Sequence, residues 1–135
     1  MKPTAKQLTG LAGEEMAASL LLARGMRILN RNWRSRSLEL DIVAEEGDTL
    51  VFVEVKARAA GGLQQPHEAL GMAKRRALTR AATCYLAEYD LWHRSCRFDL
   101  VSIIMNGNNP VVEHIPHAFE FSPTFSGGNA AWQPW

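Results

Sequence analysis

Cysteine is nearly absent: Cys84 and Cys96 are the only two in 135 residues. They are too few and too far apart for a Cys-x-x-Cys metal or redox motif, so they read as reduced thiols with no assigned function. Long hydrophobic runs are absent too. None approaches the roughly 20 residues that cross a bilayer, and Met1 to Thr9 lacks the apolar core of a signal peptide, so a cytoplasmic chain with no membrane partner is expected. An excess of charge of either sign is also missing, because the formal net charge is +1. Bulk charge alone therefore gives no sign of a polyanionic partner.

Locally the balance breaks. Between Met16 and Leu38 there is no acid, yet Arg24, Arg27, Arg31, Arg34 and Arg36 all occur there. A second acid-free stretch, Ala69 to Ala87, carries Lys74, Arg75, Arg76 and Arg80. The acids gather instead between Leu38 and Arg58. Basic surfaces around an acidic centre are the pattern of a protein that holds a polyanion, a nucleic acid above all. Solvated helix and loop charges are the plainer reading of either cluster taken alone.

The apolar fraction of 47% fits a soluble globular chain. One domain over residues 1–121 is expected, large enough to bury about two-thirds of its unfolded surface. The segment 122–135, rich in Gly, Ser, Pro and Asn, reads as a flexible tail on which Trp132 and Trp135 could dock. No internal repeat is present.

Helix formers run from Leu8 to Arg24, with Thr9 as a candidate N-cap and Gly25 where a glycine after a helix belongs. Glu14 and Glu15 then fall in the first turns, where the helix dipole favours acids, and that is the simpler explanation of both. Met26 to Trp33 reads as a strand, followed by the basic turn Arg34 to Ser37. Ala59 to Pro66 reads as a loop suited to a mobile flap. A second helix is clear from Met72 to Tyr89, with Leu78, Ala81, Ala82, Tyr85, Leu86 and Tyr89 forming a stripe at 3 and 4 spacing. Arg97 to Met105 is a near-continuous apolar strand, and Val111 to Pro116 a short final one. His114 and His117 have a spacing sometimes seen in metal sites, but packing or surface positions are the expectation across a proline. Helix, three strands, helix and two strands imply a three-layer α/β domain around a mixed sheet.

The most informative stretch is Leu38 to Arg58. Leu38, Leu40, Ile42 and Ala44 alternate with Glu39, Asp41, Val43 and Glu45, and Thr49 to Arg58 is rich in Val and Phe. A two-residue Gly47-Asp48 loop sets the register by counting: Glu45 opposite Leu50, Val43 opposite Phe52, Asp41 opposite Glu54 and Glu39 opposite Lys56. Two carboxylates facing each other destabilise a sheet, and a divalent cation between them would remove the conflict. Solvation of both acids, or a Glu54–Lys56 pair, is the bland alternative. It is weakened because Val51, Val53 and Val55 make the other face apolar while Leu50 and Phe52 flank Glu54, and a charge in a strand covered on both sides needs a partner.

An acid followed by Glu-x-Lys on the next strand is the signature of metal-dependent nucleases of the PD-(D/E)xK superfamily. The order Gly13-Glu14 with Ala17 and Gly25, Arg31-Asn32-Trp33-Arg34, Glu39-Leu40-Asp41, Phe52 to Arg58, Lys74, Arg97-Phe98-Asp99 and His114 to Phe119 resembles the UPF0102 (YraN-like) family. That family is similar in turn to archaeal Holliday-junction resolvases. Leu38 stands where it commonly has glycine. The resemblance implies a restriction-endonuclease-like fold and makes Glu14 the first-helix site acid in preference to Glu15. It implies Glu14, Asp41, Glu54 and Lys56 as catalytic residues. Asp41, Glu54 and the Val55 carbonyl would hold Mg²⁺, with Mn²⁺ as a substitute. Lys56 would orient the nucleophile or stabilise developing charge, and Glu14 would position water at the ion. Arg31, Arg34, Arg36, Arg58, Lys74, Arg75, Arg76 and Arg80 would contact nucleic-acid phosphates rather than bases. A Mg²⁺-dependent endonuclease acting on DNA, on branched or structured forms in particular, is the expected activity, and a homodimer is expected by analogy with the resolvases. The alternative is a non-catalytic nucleic-acid-binding or partner-binding protein that keeps the fold.

Overall fold

A computed structural model describes residues 2, 4–59 and 70–120. The expected flap and the tail with its two tryptophans lie outside the described residues, apart from Ala59, which ends a strand. The elements are α1 (Ala5–Ala23), β1 (Arg27–Ser35), β2 (Leu38–Glu46), β3 (Thr49–Ala59), α2 (Met72–Tyr89), β4 (Ser95–Met105) and β5 (Val111–Phe119). The strands form one sheet in chain order, with β3 and β4 parallel and the other neighbours antiparallel. A helix packs on each face, giving the expected three-layer α/β fold. No helix among the described residues is long and apolar enough to cross a membrane.

The face under α1 is built from Ala17 and Leu21 against Ile42, Ala44, Val51, Val53, Val101 and Ile103. The opposite face carries Leu78, Tyr85 and Leu86 of α2 against Val43, Leu50, Phe52, Phe98 and Leu100. Tyr85 meets Trp33 and Phe52 edge-on, with ring centroids 5.3 and 5.8 Å away, and its hydroxyl donates to Asn30 Oδ1 at 2.6 Å. Tyr89, expected in the buried stripe, is 44% exposed because α2 ends there, at Asp90 in the left-handed conformation.

Two helix expectations change. Alanine, lysine, glutamine and leucine extend α1 back to Ala5, so Thr9 lies inside the helix and is no cap. Glu14 and Glu15 therefore lie near the middle of α1, and the dipole explanation of both fails. The C-terminus is as expected: Gly25 has φ 88°, its N–H donates to Leu22 O, and Met26 N–H donates to Leu21 O, both at 3.0 Å.

Gly13 fixes how closely α1 lies on the sheet. A Cβ there would stand 2.6 Å from Ala57 Cβ and 3.5 Å from Ile103 Cδ1, so only glycine allows this approach.

A charged network sits in the middle of the apolar β4. Asp99, 1% exposed, accepts from Arg97 Nε at 3.0 Å and from the His117 backbone N–H at 3.1 Å. His117 has φ 54°, and the β4–β5 register shifts between Phe98 and Leu100, so the Asp99 carboxylate caps a bulge in β5. His114 Nε2 lies 2.8 Å from Asp99 Oδ2, and Arg24 Nη1 lies 2.6 Å from His114 Nδ1. Arginine can only donate, so Nδ1 accepts from Arg24 and Nε2–H donates to Asp99. His114 is thus packed and His117 exposed, as expected for this pair.

Gly13→Ala should lower stability by about 1–3 kcal/mol, read as a lower Tm, because two rigid Cβ atoms collide. Asp99→Ala should be more severe, on the order of 3–5 kcal/mol, since it strands Arg97 and the β5 bulge without a buried acceptor. Urea unfolding of each variant checks both, and an Asp99→Ala curve matching wild type would refute the clamp.

Candidate active site

The β2–β3 hairpin has the expected two-residue Gly47-Asp48 loop and register, Glu45 opposite Leu50 and Val43 opposite Phe52. The ladder ends at Ile42 opposite Val53, one row short of Asp41 and Glu54, although both strands run on. The two expected rows beyond it, Asp41 opposite Glu54 and Glu39 opposite Lys56, are therefore not part of the ladder. Glu39 lies opposite Arg34 on β1 instead and pairs with it at 3.2 Å.

The cause is a bend in the β1–β2 ribbon. Asn32 takes φ 52°, between the Arg31–Ile42 and Trp33–Leu40 pairs. Ile42 lies on the α1 face but Leu40, two residues earlier, joins Trp33 on the α2 face, so the alternation breaks at Asp41. By register Leu40 would have formed the next rung with Val55. The Asp41 carboxylate takes its place, Oδ2 accepting the Val55 N–H at 2.9 Å. In an extended strand the N–H and C=O of one residue point to the same neighbour, so the Val55 carbonyl faces the same opening.

Glu54, 5% exposed, lies beside this gap and is flanked by two ammonium groups: Lys74 Nζ at 3.1 Å and Lys56 Nζ at 3.7 Å, both on Oε2. The Asp41 and Glu54 carboxyls are close enough for the charge of one to act on the other. Burial, and then the neighbouring Glu54 charge, push the Asp41 carboxyl up from its ordinary 3.8 to about 7, so near neutral pH Asp41 is partly protonated. Of the hairpin's other acids, Glu45 is neutralised by Arg27 at 2.5 Å and Arg94 at 2.8 Å, and Glu46 by Arg97 at 2.7 Å.

The donor set suits a hard cation. Two carboxylates forced together, with a backbone oxygen released from the ladder beside them, match the oxygen preference of Mg²⁺. Among the described residues no three His, Cys, Asp or Glu side chains cluster to hold a metal, so the Val55 carbonyl would have to be the third protein ligand.

Glu14, on the half-turn after Gly13, accepts from Asn32 Nδ2 at 3.3 Å, which ties α1 to the bend that presents Asp41. Glu15 is engaged elsewhere, by Arg31 at 2.9 Å. The basic residues scatter. Arg31 and Arg34 hold Glu15 and Glu39, and Lys74 joins Glu54. Arg75 donates Nε to Leu70 O at 2.9 Å and lies over the Phe119 ring. Arg36, with φ 59°, and Arg80 line a groove of about 560 Å³ together with Ser35, Ser37, Leu38 and Cys84. Arg58 is half-buried near the end of β3, and Arg76 is exposed on α2. Sequence reasoning gave no separate role to Asn32, whose left-handed backbone carries no signal beyond asparagine's tolerance of it.

With the geometry in place, comparison with known proteins is informative. The model of the uncharacterised protein family UPF0102 matches residues 13–103. The chain belongs to family UPF0102. A UPF0102 protein of Nitratidesulfovibrio vulgaris strain DP4 is 53% identical over 131 residues, covering 97% of this chain and 98% of the relative. UPF0102 proteins of Oleidesulfovibrio alaskensis and Lawsonia intracellularis are 39% and 40% identical, covering 93% of this chain and 92% and 96% of theirs. The matched stretch includes Glu14, Asp41, Glu54, Lys56, Lys74 and Asp99.

The raised carboxyl of Asp41 has a defined pH signature. Below about 4 the group is protonated folded or unfolded; between 4 and 7 the unfolded chain releases a proton that the folded chain keeps, so its contribution to stability falls through that window. Asp41→Asn should therefore raise the Tm of cation-free protein at pH 8 and raise it less at pH 5. An equal difference at both pH values would contradict the raised Asp41 carboxyl.

Proposed function

We propose that this UPF0102 protein is a divalent-cation-dependent nuclease that hydrolyses phosphodiester bonds in DNA, branched or otherwise structured DNA in particular. The observation that carries the reading is the pairing of half-buried Asp41 with buried Glu54 at the point where β2 leaves β3, with two lysines on one of the acids. A nucleic-acid phosphate brings the negative charge that Lys56 and Lys74 would meet, and a cation relieves the carboxylate conflict.

Asp41, Glu54 and the Val55 carbonyl would hold Mg²⁺ or Mn²⁺. When bound, such an ion supplies Lewis-acid polarisation of the phosphodiester and lowers the pKa of nearby water. Lys56 stabilises negative charge developing on the phosphoryl oxygens. Glu14, oriented by Asn32, positions water for in-line attack and accepts its proton as the bond from phosphorus to the leaving oxygen breaks. Glu54 is 5% exposed, on β3 opposite Leu100 of β4, so its charge lies in a low dielectric, where it is worth more than in water. Arg36, Arg58, Arg76 and Arg80 supply phosphate contacts without reading bases.

A second reading keeps the fold and binds nucleic acid or a protein without cutting. It draws on the ion pairs that already occupy Arg31, Arg34 and Lys74. Pure protein incubated with linear, nicked and four-way-junction DNA separates the two. Cleavage should require Mg²⁺ or Mn²⁺, stop with EDTA, and fall on the order of 100-fold or more in Glu54→Gln and Lys56→Ala. Salt-sensitive binding with no cation-dependent cleavage of any substrate would decide for the second reading.

A further inference from the structure

Among the described residues one buried side-chain polar atom has no hydrogen-bond partner, Ser102 Oγ on β4. Ser102 is 1% exposed, and a hydroxyl so placed is unfavourable unless something occupies its hydrogen bond in another state of the protein. Its position says what that state is. β4 runs parallel beside β3 with Leu100 opposite Glu54 and Ser102 opposite Lys56. Paired residues of neighbouring strands share a face, and Phe98 and Leu100 place the even-numbered residues of β4 on the α2 face. Ser102 is therefore the row-mate of Lys56, one row on from the acid that Lys56 contacts. Across β4 on its other side stands Glu113 of β5, which is exposed and does not bond it.

Lys56 and Lys74 both rest on the same oxygen, Glu54 Oε2. A divalent cation taken up by Glu54 competes with both ammonium groups for that oxygen. Lys74 is on the first turn of α2 and more than a third exposed, so it can turn away to solvent or to a phosphate. Lys56, 35% exposed, stands on β3 itself, and the hydroxyl in its own row of the sheet is the unpaired one of Ser102.

We propose that Ser102 is a positioning residue for Lys56: its hydroxyl accepts the Lys56 ammonium when a divalent cation occupies the Asp41–Glu54 carboxylates, holding the lysine in place instead of expelling it. This rests on the cation reading above. The hydroxyl is idle in the cation-free protein and engaged in the loaded one, which distinguishes it from an ordinary core serine.

Mn²⁺ titration calorimetry on the full chain tests it, with Ser102→Ala, Lys56→Ala, the double variant, and the Tm of each without cation. Ser102→Ala should leave the cation-free Tm equal or higher, because it removes an unpaired hydroxyl, and should weaken Mn²⁺ binding about tenfold, as for loss of a hydrogen bond to a charged group. In the Lys56→Ala background the same change should have no effect, since the coupling runs through the lysine. Unchanged Mn²⁺ affinity in Ser102→Ala, an equal loss in both backgrounds, or a drop in its cation-free Tm would overturn this role and leave the cation reading standing. Wild-type protein that binds no Mn²⁺ would overturn both.

Discussion

One hydrogen bond organises the site: the Val55 N–H donates to a carboxylate where the ladder would have given it a backbone carbonyl. Replacing a rung by the Asp41 side chain lets β2 part from β3 without stranding a buried donor. The parting does three things at once. It sends Leu40 and Trp33 to the α2 face, it leaves the Val55 carbonyl turned into the opening, and it brings a second carboxyl against Glu54.

Everything around the gap serves to keep it in place. Val51 and Val53 lie under α1 while Leu50 and Phe52 lie under α2, so β3 cannot rotate to expose Glu54. The glycine-thin crossing at Gly13 holds α1 against Ala57, and the next residue, Glu14, is thereby delivered to Asn32 at the bend. On the α1 face, Asp99 ties β4, β5 and the end of α1 together through Arg97, His114 and Arg24. The packed network and the strained one have different jobs. Asp99 has its charge matched by Arg97 and is a fastening. Asp41 and Glu54 bring two acids together despite the lysines on Glu54, and that local rule broken inside an otherwise consistent core is what supports the proposed site.

Much of this was legible from residue order. Alternation of Leu, Ile and Val with acids gave the hairpin, Gly47-Asp48 gave its register, and the 3 and 4 spacing of Leu78, Ala81, Ala82, Tyr85 and Leu86 gave α2 with its bounds. Counting rungs could not show where the rungs stop. That depends on Asn32 adopting φ 52° and on Trp33 finding Tyr85, a contact with a residue far along the chain. The same bend explains why Glu39 meets Arg34 and not Lys56. Glu14 looked like a dipole-complementing acid because the helix start was placed too late; with α1 beginning at Ala5 that explanation disappears. Asp99 is the one acid of β4, and its partners come from β4 itself and from the far end of β5, which no local pattern announces.

The arginine-rich segments illustrate a further limit of reading charge from sequence. Acid-free stretches seem to promise a continuous basic surface, yet Arg31 and Arg34 meet glutamates from elsewhere in the chain or across the turn. Arg36 and Arg80, far apart in sequence, converge on one groove instead. The central claim concerns the carboxylate pair, and a crystal structure of the protein grown with Mn²⁺, with the ion located by its anomalous scattering, tests it most directly. The ion should lie between Asp41 and Glu54 with the Val55 carbonyl among its ligands. Crystals in which manganese lies elsewhere or is absent would contradict it.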